Sequence, residues 1–266
     1  MQSVVLITEV IDPAGGSWYV EHLTNQLAQF AWEFFQQIEV QGGMISALQN
    51  NFIQNQIQTV ANTRYKNITS RKAVLVGANM YPDVNEALRT DTPLKIVDTS
   101  PFDDLILEAI PLKPVRLGEP FEILRSNAEK YRQSKGHLPQ IFLANFGELS
   151  DYKARMDFTQ GFYEVGGFKL INLGGFNIIE SAIKASLYSD TKAIVICSTD
   201  AKYAEIVPEF TKALKAQKPD LIVILAGYPQ DKIEEYRQAG VDDFIHIRAN
   251  CYDMNKQLQD HLGVGS

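Results

Sequence analysis

The chain has 266 residues, 45% of them hydrophobic and 21% charged, with a net charge of −7. This is the composition of an ordinary globular chain. The acidic balance and the lack of any basic run argue against a nucleic-acid partner, and no apolar run approaches the ~20 residues of a membrane span.

The amino terminus lacks a basic-then-apolar leader, and the cysteines, Cys197 and Cys251, fit a reducing compartment, so a cytoplasmic location is expected. The histidines are His22, His137, His246 and His261; no two have metal-ligand spacing, so no metal site is expected.

In chain order, "DPAGGS" (12–17) reads as a turn with Ser17 as N-cap. Val20, Leu23, Leu27, Phe30, Ala31, Phe34 and Ile38 then recur at helical spacing until Gly42-Gly43. A second helix carries Ile45, Leu48, Phe52, Ile57 and Val60. Residues 63–138 read as a connector: "RKAVLVGANM" as a short strand, a proline-rich stretch, and "EPFEILRSNAEKYRQSKG" as an amphipathic helix ending near Gly136. From 139 the chain alternates. Strands are expected at 140–144, 168–172, 192–197, 220–225 and 242–246, and helices at 154–165, 176–187, 201–216, 230–239 and 252–262. That alternation predicts an α/β fold with a doubly wound parallel sheet of five strands. "IVICS" and "LIVILAG" are apolar throughout, as strands covered on both faces are.

In such a sheet, ligands sit beyond the carboxyl ends of the strands. Those loops hold Asn145, Glu148 and Asp151; Ser198, Thr199 and Asp200; Gly227 and Tyr228; Arg248 and Asn250. The stretch after Ala144 has one glycine, Gly147, which leaves no dinucleotide fingerprint, and no P-loop occurs. The acidic "NFGELSDYK" would repel phosphate. A receiver-type site would need an acid pair after the first strand, which is missing although Asp200 is near the acceptor place. Ser198, His246 and Asp200 could be assembled as a nucleophilic trio, but no G-x-S-x-G elbow supports it. The plainer reading has Ser198 and Thr199 capping the next helix, His246 ending an inner strand, Cys197 as an inert core residue, and Tyr228-Pro229 as a turn.

Two early segments carry a resemblance. "VIDPAGGSWYVEHLTNQLAQFAWEFFQQIEVQGGM" (10–44) resembles the end of the substrate barrel in methylmalonyl-CoA mutase and related acyl-CoA mutases, and "VLVGANMYPD" (74–83) resembles the strand after that barrel's last helices. "EVGGFKLINLG", "VICSTDAKYAEIVPEFTKALK" and "LAGYPQDKIEEYRQAGVDDFI" are similar to that family's carboxyl-terminal cobalamin-binding domain, a flavodoxin-like sheet. "GEPFEILRSNAEKY" (118–131) is closer to the small, non-catalytic subunit of the heterodimeric enzyme.

The resemblance implies three zones: 1–62, a helical remnant of the (β/α)₈ barrel; 63–138, a connector; and 139–266, a cobalamin-binding-like domain. A whole barrel takes roughly 250 residues, so the chain is expected to be a portion of a longer small subunit or a shortened gene product. The family's cobalamin domains carry D-x-H-x-x-G in the first loop, where the His ligates cobalt, the Asp orients it and the Gly leaves room for the cofactor's tail. Here Leu149, Asp151 and Ala154 fall at those three places. Ser198 and Gly227 match a serine and a glycine beside the tail, while "HIRANC" lacks the family's Gly-Pro-rich turn.

The implied role is structural: a degenerate cleft without catalytic or metal-ligating residues and without cofactor. Adenosylcobalamin would be held by a catalytic partner subunit in a heterodimer that interconverts succinyl-CoA and methylmalonyl-CoA. Self-association through the amino-terminal helices is the other expected contact. The rival is a cobalamin module that keeps the cofactor's own base on cobalt. An unrelated small-ligand sensor has no positive support in the sequence.

Overall fold

The computed structural model describes residues 11–84, 86, 109–112 and 114–265; most of the proline-rich stretch lies outside them. The chain divides into two compact units, Met1–Ala61 with Val97–Pro114, and Asn62–Ile96 with Val115–Ser266.

The first unit is helical. α1 (Trp18–Val40) starts after Ser17 and ends where Gly42 and Gly43 turn to positive φ. α2 (Met44–Gln49) is separated from α3 (Phe52–Thr69) by Asn51, whose φ of 58° breaks what the sequence predicts as one helix. Asn tolerates this left-handed conformation better than most residues, so the break falls there. In α1 only Ile38 is buried. Val20, Leu23, Leu27, Phe30 and Phe34 are all exposed, as are Trp32 and Phe35. Stacking of Trp32 on Phe35 (5.3 Å) and of Phe34 on Phe52 (6.2 Å) covers part of this surface.

In the second unit, the segment predicted as a strand near 71–80 is a turn joined by an isolated bridge between Val76 and Met80. Buried Asn79 accounts for the difference. Its Oδ1 accepts from Leu75 N–H at 2.7 Å, and its Nδ2 donates to the carbonyls of Ile68 and Ala73 at 2.8 Å. One amide thus satisfies the backbone that a sheet would otherwise pair. α4 (Glu119–Lys135) has proline in its first turn, acids at its start, bases at its end and Gly136 as a left-handed cap, which together suit the helix dipole and end the helix where the sequence predicts.

The strands are β1 (Gln140–Phe146), β2 (Lys169–Phe176), β3 (Ala193–Cys197), β4 (Ile222–Ala226) and β5 (Asp243–Ile245). All pairings are parallel, in the order β2-β1-β3-β4-β5. This is the flavodoxin-like doubly wound order. Between and after the strands come α5 (Leu149–Glu164), α6 (Ile179–Tyr188), α7 (Asp200–Gln217), α8 (Ile233–Ala239) and α9 (Cys251–Leu262).

Alternation along β1 sorts the core. Ile141 and Leu143 join Phe121, Leu124, Phe162 and Leu258, so α4, α5 and α9 cover one face of the sheet. Phe142, Ala144 and Phe146 join Ala182, Val207, Phe210 and Tyr236, so α6, α7 and α8 cover the other. β3 is buried at every residue and β4 at all but its first, which is why both read as continuous apolar runs. β5 lies at the edge, so His246 follows an edge strand rather than ending an inner one.

Candidate functional site

The carboxyl end of β1 is followed by a very short loop. Gly147, at φ 93°, turns the chain, and its N–H donates to Phe176 O at 3.0 Å. Glu148 is already the N-cap, and α5 starts at Leu149. The sequence predicts a charged loop up to about 153. The structure instead places Leu149, Asp151 and Ala154 in the first two turns of α5. The cause is local: the Asp151 carboxylate accepts the Glu148 N–H at 2.8 Å, satisfying one of the donors that a helix start leaves open.

Asp151 also meets Lys202 on α7, with Nζ to Oδ2 at 2.5 Å. The Lys202 ammonium first, and the Glu148 N–H second, hold its carboxyl below the usual carboxylate range. The pair fits because position 147 has no side chain: a Cβ there would strike both the Asp151 carboxylate and the Lys202 ammonium. Leu149 points outward and is 57% exposed, and Ala154 is exposed.

One turn beyond Asp151, Arg155 fills the space beside β3 and β4. Its Nη2 donates to Asp200 at 2.8 Å, and its guanidinium lies 4.8 Å over the Tyr203 ring, a cation–π arrangement. Its Nη1 is buried without a hydrogen-bond partner in the structure. Gly227 forms the floor: its φ is 147°, and an added Cβ would stand 2.9 Å from that Nη1.

Tyr203 closes the set. Its hydroxyl donates to Ala226 O at 2.7 Å and accepts the Ser198 N–H at 3.0 Å, joining the ends of β3 and β4. Burial pushes this hydroxyl well above its ordinary pKa, so it remains a donor. Ser198 and Thr199 do not cap α7 with their side chains. Thr199 stands at the N-cap position without a side-chain bond, and the Ser198 hydroxyl donates to Phe146 O at 2.8 Å, tying the end of β1 to β3.

The other candidates are placed as follows. Asn145 is buried in β1, with Nδ2 on Asn172 Oδ1 (3.0 Å) and Gly174 O (3.3 Å). Tyr228 lies against His246, with ring centroids 4.5 Å apart. Asn250 is the N-cap of α9 and accepts the Asp253 N–H at 3.3 Å. Arg248 is exposed. Burial pushes the fully buried Cys197 thiol up to about 12, as an inert core thiol requires. Ser198, Asp200 and His246 do not form a trio: Asp200 engages Arg155, the Ser198 hydroxyl is spent on a backbone carbonyl, and His246 stacks with Tyr228.

The structure thus gathers Asp151, Ser198 and Gly227 at one edge and adds Lys202, Arg155 and Tyr203, which the sequence does not single out. Arg155 lies four residues after Asp151, on the same helical face, and that spacing is the one signal that could have pointed to it. These residues do not offer a cobalt ligand. The place of the expected imidazole holds a carboxylate already committed to a lysine and a backbone N–H, and the flank expected to take a cofactor tail holds a guanidinium. Among the described residues, no group of three or more His, Cys, Asp or Glu side chains can hold a metal ion.

Residues 1–105 match a family model described as methylmalonyl-CoA mutase. A methylmalonyl-CoA mutase small subunit of Streptomyces virginiae is 32% identical over 237 residues, 89% of this chain and 37% of that protein. The small subunit of Porphyromonas gingivalis is 28% identical over 256 residues, 96% of this chain and 40% of that protein, and the large subunit of the same organism is 24% identical over 312 residues, 91% of this chain and 43% of that protein. The chain therefore spans about two fifths of the length of the curated relatives it matches. A solved cobalamin-binding protein from Desulfitobacterium hafniense is 23% identical and covers 53% of this chain and 67% of its own; at a TM-score of 0.40 the likeness carries no argument, and the fold is read from the strand order.

Proposed function

We propose, from the premise that this chain is a relative of the methylmalonyl-CoA mutase family, that it is a non-catalytic, structural part of a mutase small subunit. In this reading it carries no cofactor and supports a partner subunit that binds adenosylcobalamin and interconverts succinyl-CoA and methylmalonyl-CoA. The observation that carries the reading is the self-filled cleft: Asp151 is paired with Lys202 where the ligand histidine is expected, and Arg155 lies on Tyr203 above Gly227. An arrangement in which charges already have partners gains nothing from a neutral macrocycle and loses those partners on opening.

The division into a barrel-end segment (1–62), a connector (63–138) and a cobalamin-binding-like domain (139–266) belongs to the same proposal, as does a cytoplasmic location. Among the described residues, no helix is long and apolar enough to cross a membrane. The exposed apolar side chains of α1, from Val20 to Phe34, are the proposed contact with the partner subunit or with a second copy.

The test is a titration of the purified chain with hydroxocobalamin, followed by desalting. The expected result is that the cofactor separates from the protein. One cobalamin retained per chain, with its own base displaced from cobalt, overturns the reading. Retention with the base still on cobalt establishes the rival, a module that binds the cofactor without a protein ligand. Ser198 and Gly227, in register with the family's tail-binding positions, favour that rival, while Arg155 in the same space opposes it.

A further inference from the structure

A second cleft of the α/β unit carries cations without carboxylates, where the first carries ion pairs. It is a cavity of about 500 Å³ between α5, the turn at 70–80 and the loop after β5. That volume falls within the ~300–1,000 Å³ usual for small-molecule sites. It shares no residue with the cleft around Arg155, Ser198 and Gly227. Its walls are largely apolar: Phe158 and Phe162, with rings 5.6 Å apart, together with Met80, Ile247 and Ala249. Its charged residues are Arg71, Lys72 and Arg248, and no carboxylate lines it. Among the described residues none of the three is in an ion pair. In a chain of net charge −7, such a local excess of cations is a marked reversal.

Arg71 is the centre of the site. It follows α3 with φ 59°, one of four described non-glycine residues at positive φ. Such a conformation is strained and persists only where the surroundings impose it. Here the guanidinium rests against Met80 Sδ through Nη2 and over Gly161 of α5, where even an added Cβ would come within 3.7 Å. Its Nη1 is buried, and the Cys251 thiol lies beside the guanidinium. A thioether and a thiol are weak acceptors, so the charge has no anionic complement within the chain, and an oxyanion in the cavity is the group that supplies one. The neighbouring imidazole adds no charge at neutral pH: burial first, and the Arg248 charge second, lower the proton affinity of His246.

We propose that this cavity binds a small organic anion with an apolar body, its phosphate or carboxylate head on Arg71 with Lys72 and Arg248 at the rim, and its body against Phe158 and Phe162. The site goes beyond the structural role proposed above and does not depend on it.

The probes are hexyl phosphate, heptanoate, hexanol and inorganic phosphate, each titrated into the chain by calorimetry. Saturable one-to-one binding of either hexyl phosphate or heptanoate, tighter than hexanol and inorganic phosphate and weakened by salt, is the expected result; the tighter of the two anions identifies the head group. Arg71→Gln should lower the affinity by about tenfold or more, the equivalent of losing one charge-assisted hydrogen bond. Arg248→Gln, at an exposed position that leaves the fold untouched, should lower it several-fold. Lys184→Gln, which removes an exposed cation from α6 on the other face of the sheet, should leave it unchanged. No saturable binding, equal binding of hexanol, an affinity indifferent to both arginine substitutions, or a loss in Lys184→Gln would each overturn the proposal.

Discussion

Two guanidiniums in the same α/β unit meet opposite circumstances. Arg155 has Asp200 on one nitrogen and the Tyr203 ring beneath it, whereas Arg71 has a thioether, a thiol and no carboxylate. The difference teaches what closes a cleft and what leaves it available. Each arginine has a buried Nη1 without a hydrogen bond, so the distinction lies in the carboxylates: Arg155 and Lys202 each have one within the chain, and a ligand would have to displace it before making its own contacts. Near Arg71 the complement is missing while the space is present. A net attraction for an outside group arises only in the second case.

The closed cleft can be broken most strongly at its floor. Gly227→Ala places a Cβ 2.9 Å from the Arg155 guanidinium, at a φ of 147° that side chains rarely adopt. Strain and displacement together should cost roughly 2–3 kcal/mol, read as a fall in the denaturant midpoint at unchanged slope. Tyr203→Phe comes next. It strips the buried Ser198 N–H and the Ala226 carbonyl of their shared partner, and a loss of about 1–2 kcal/mol is expected; a loss within error would mean that water replaces the hydroxyl.

A smaller effect is expected for Asp151→Asn, seen only in acid. The carboxyl of Asp151 is depressed in the folded chain by Lys202 and the Glu148 N–H. A depressed carboxylate stabilises the fold above its unfolded value and loses that contribution as pH falls through the folded one. The melting temperature of the unmodified chain should therefore drop more steeply below roughly pH 4 than that of Asp151→Asn, with the two curves parallel above it. Parallel curves throughout would mean that the ion pair contributes nothing in solution, as many exposed pairs do.

The smallest effect expected is none. Asp151→His should not confer cobalamin retention, because Leu149 cannot accept a hydrogen bond from the new imidazole, Ala154 keeps its Cβ, and Arg155 still covers Gly227. Loss of the orienting partner alone weakens a metal–histidine contact by ~10–100-fold. Stoichiometric retention by this single variant, measured by absorbance after desalting, would show that the cleft is one residue from competence.

The sequence by itself determined the strands, most of the helices and the layered arrangement of the α/β unit, because these follow from periods of two and 3.6 residues and from caps such as Gly136, which act over a few neighbouring positions. It also located the carboxyl-edge positions Asp151, Ser198 and Gly227. What it did not determine depends on partners distant in the chain. Asp151 meets Lys202 across 51 residues and Arg155 meets Asp200 across 45; no local period encodes either pairing. The edge position of β5, and so the surroundings of His246, follows from the strand order, and the strand order is a property of the whole sheet. The apolar residues of 71–80 suit a strand and a turn alike, and Asn79 decides between them by reaching the carbonyl of Ile68, 11 residues away. Only the tertiary structure could set Arg71 over Gly161 and opposite Arg248. Three segments remote in sequence must pack before one guanidinium lines a cavity without a carboxylate partner.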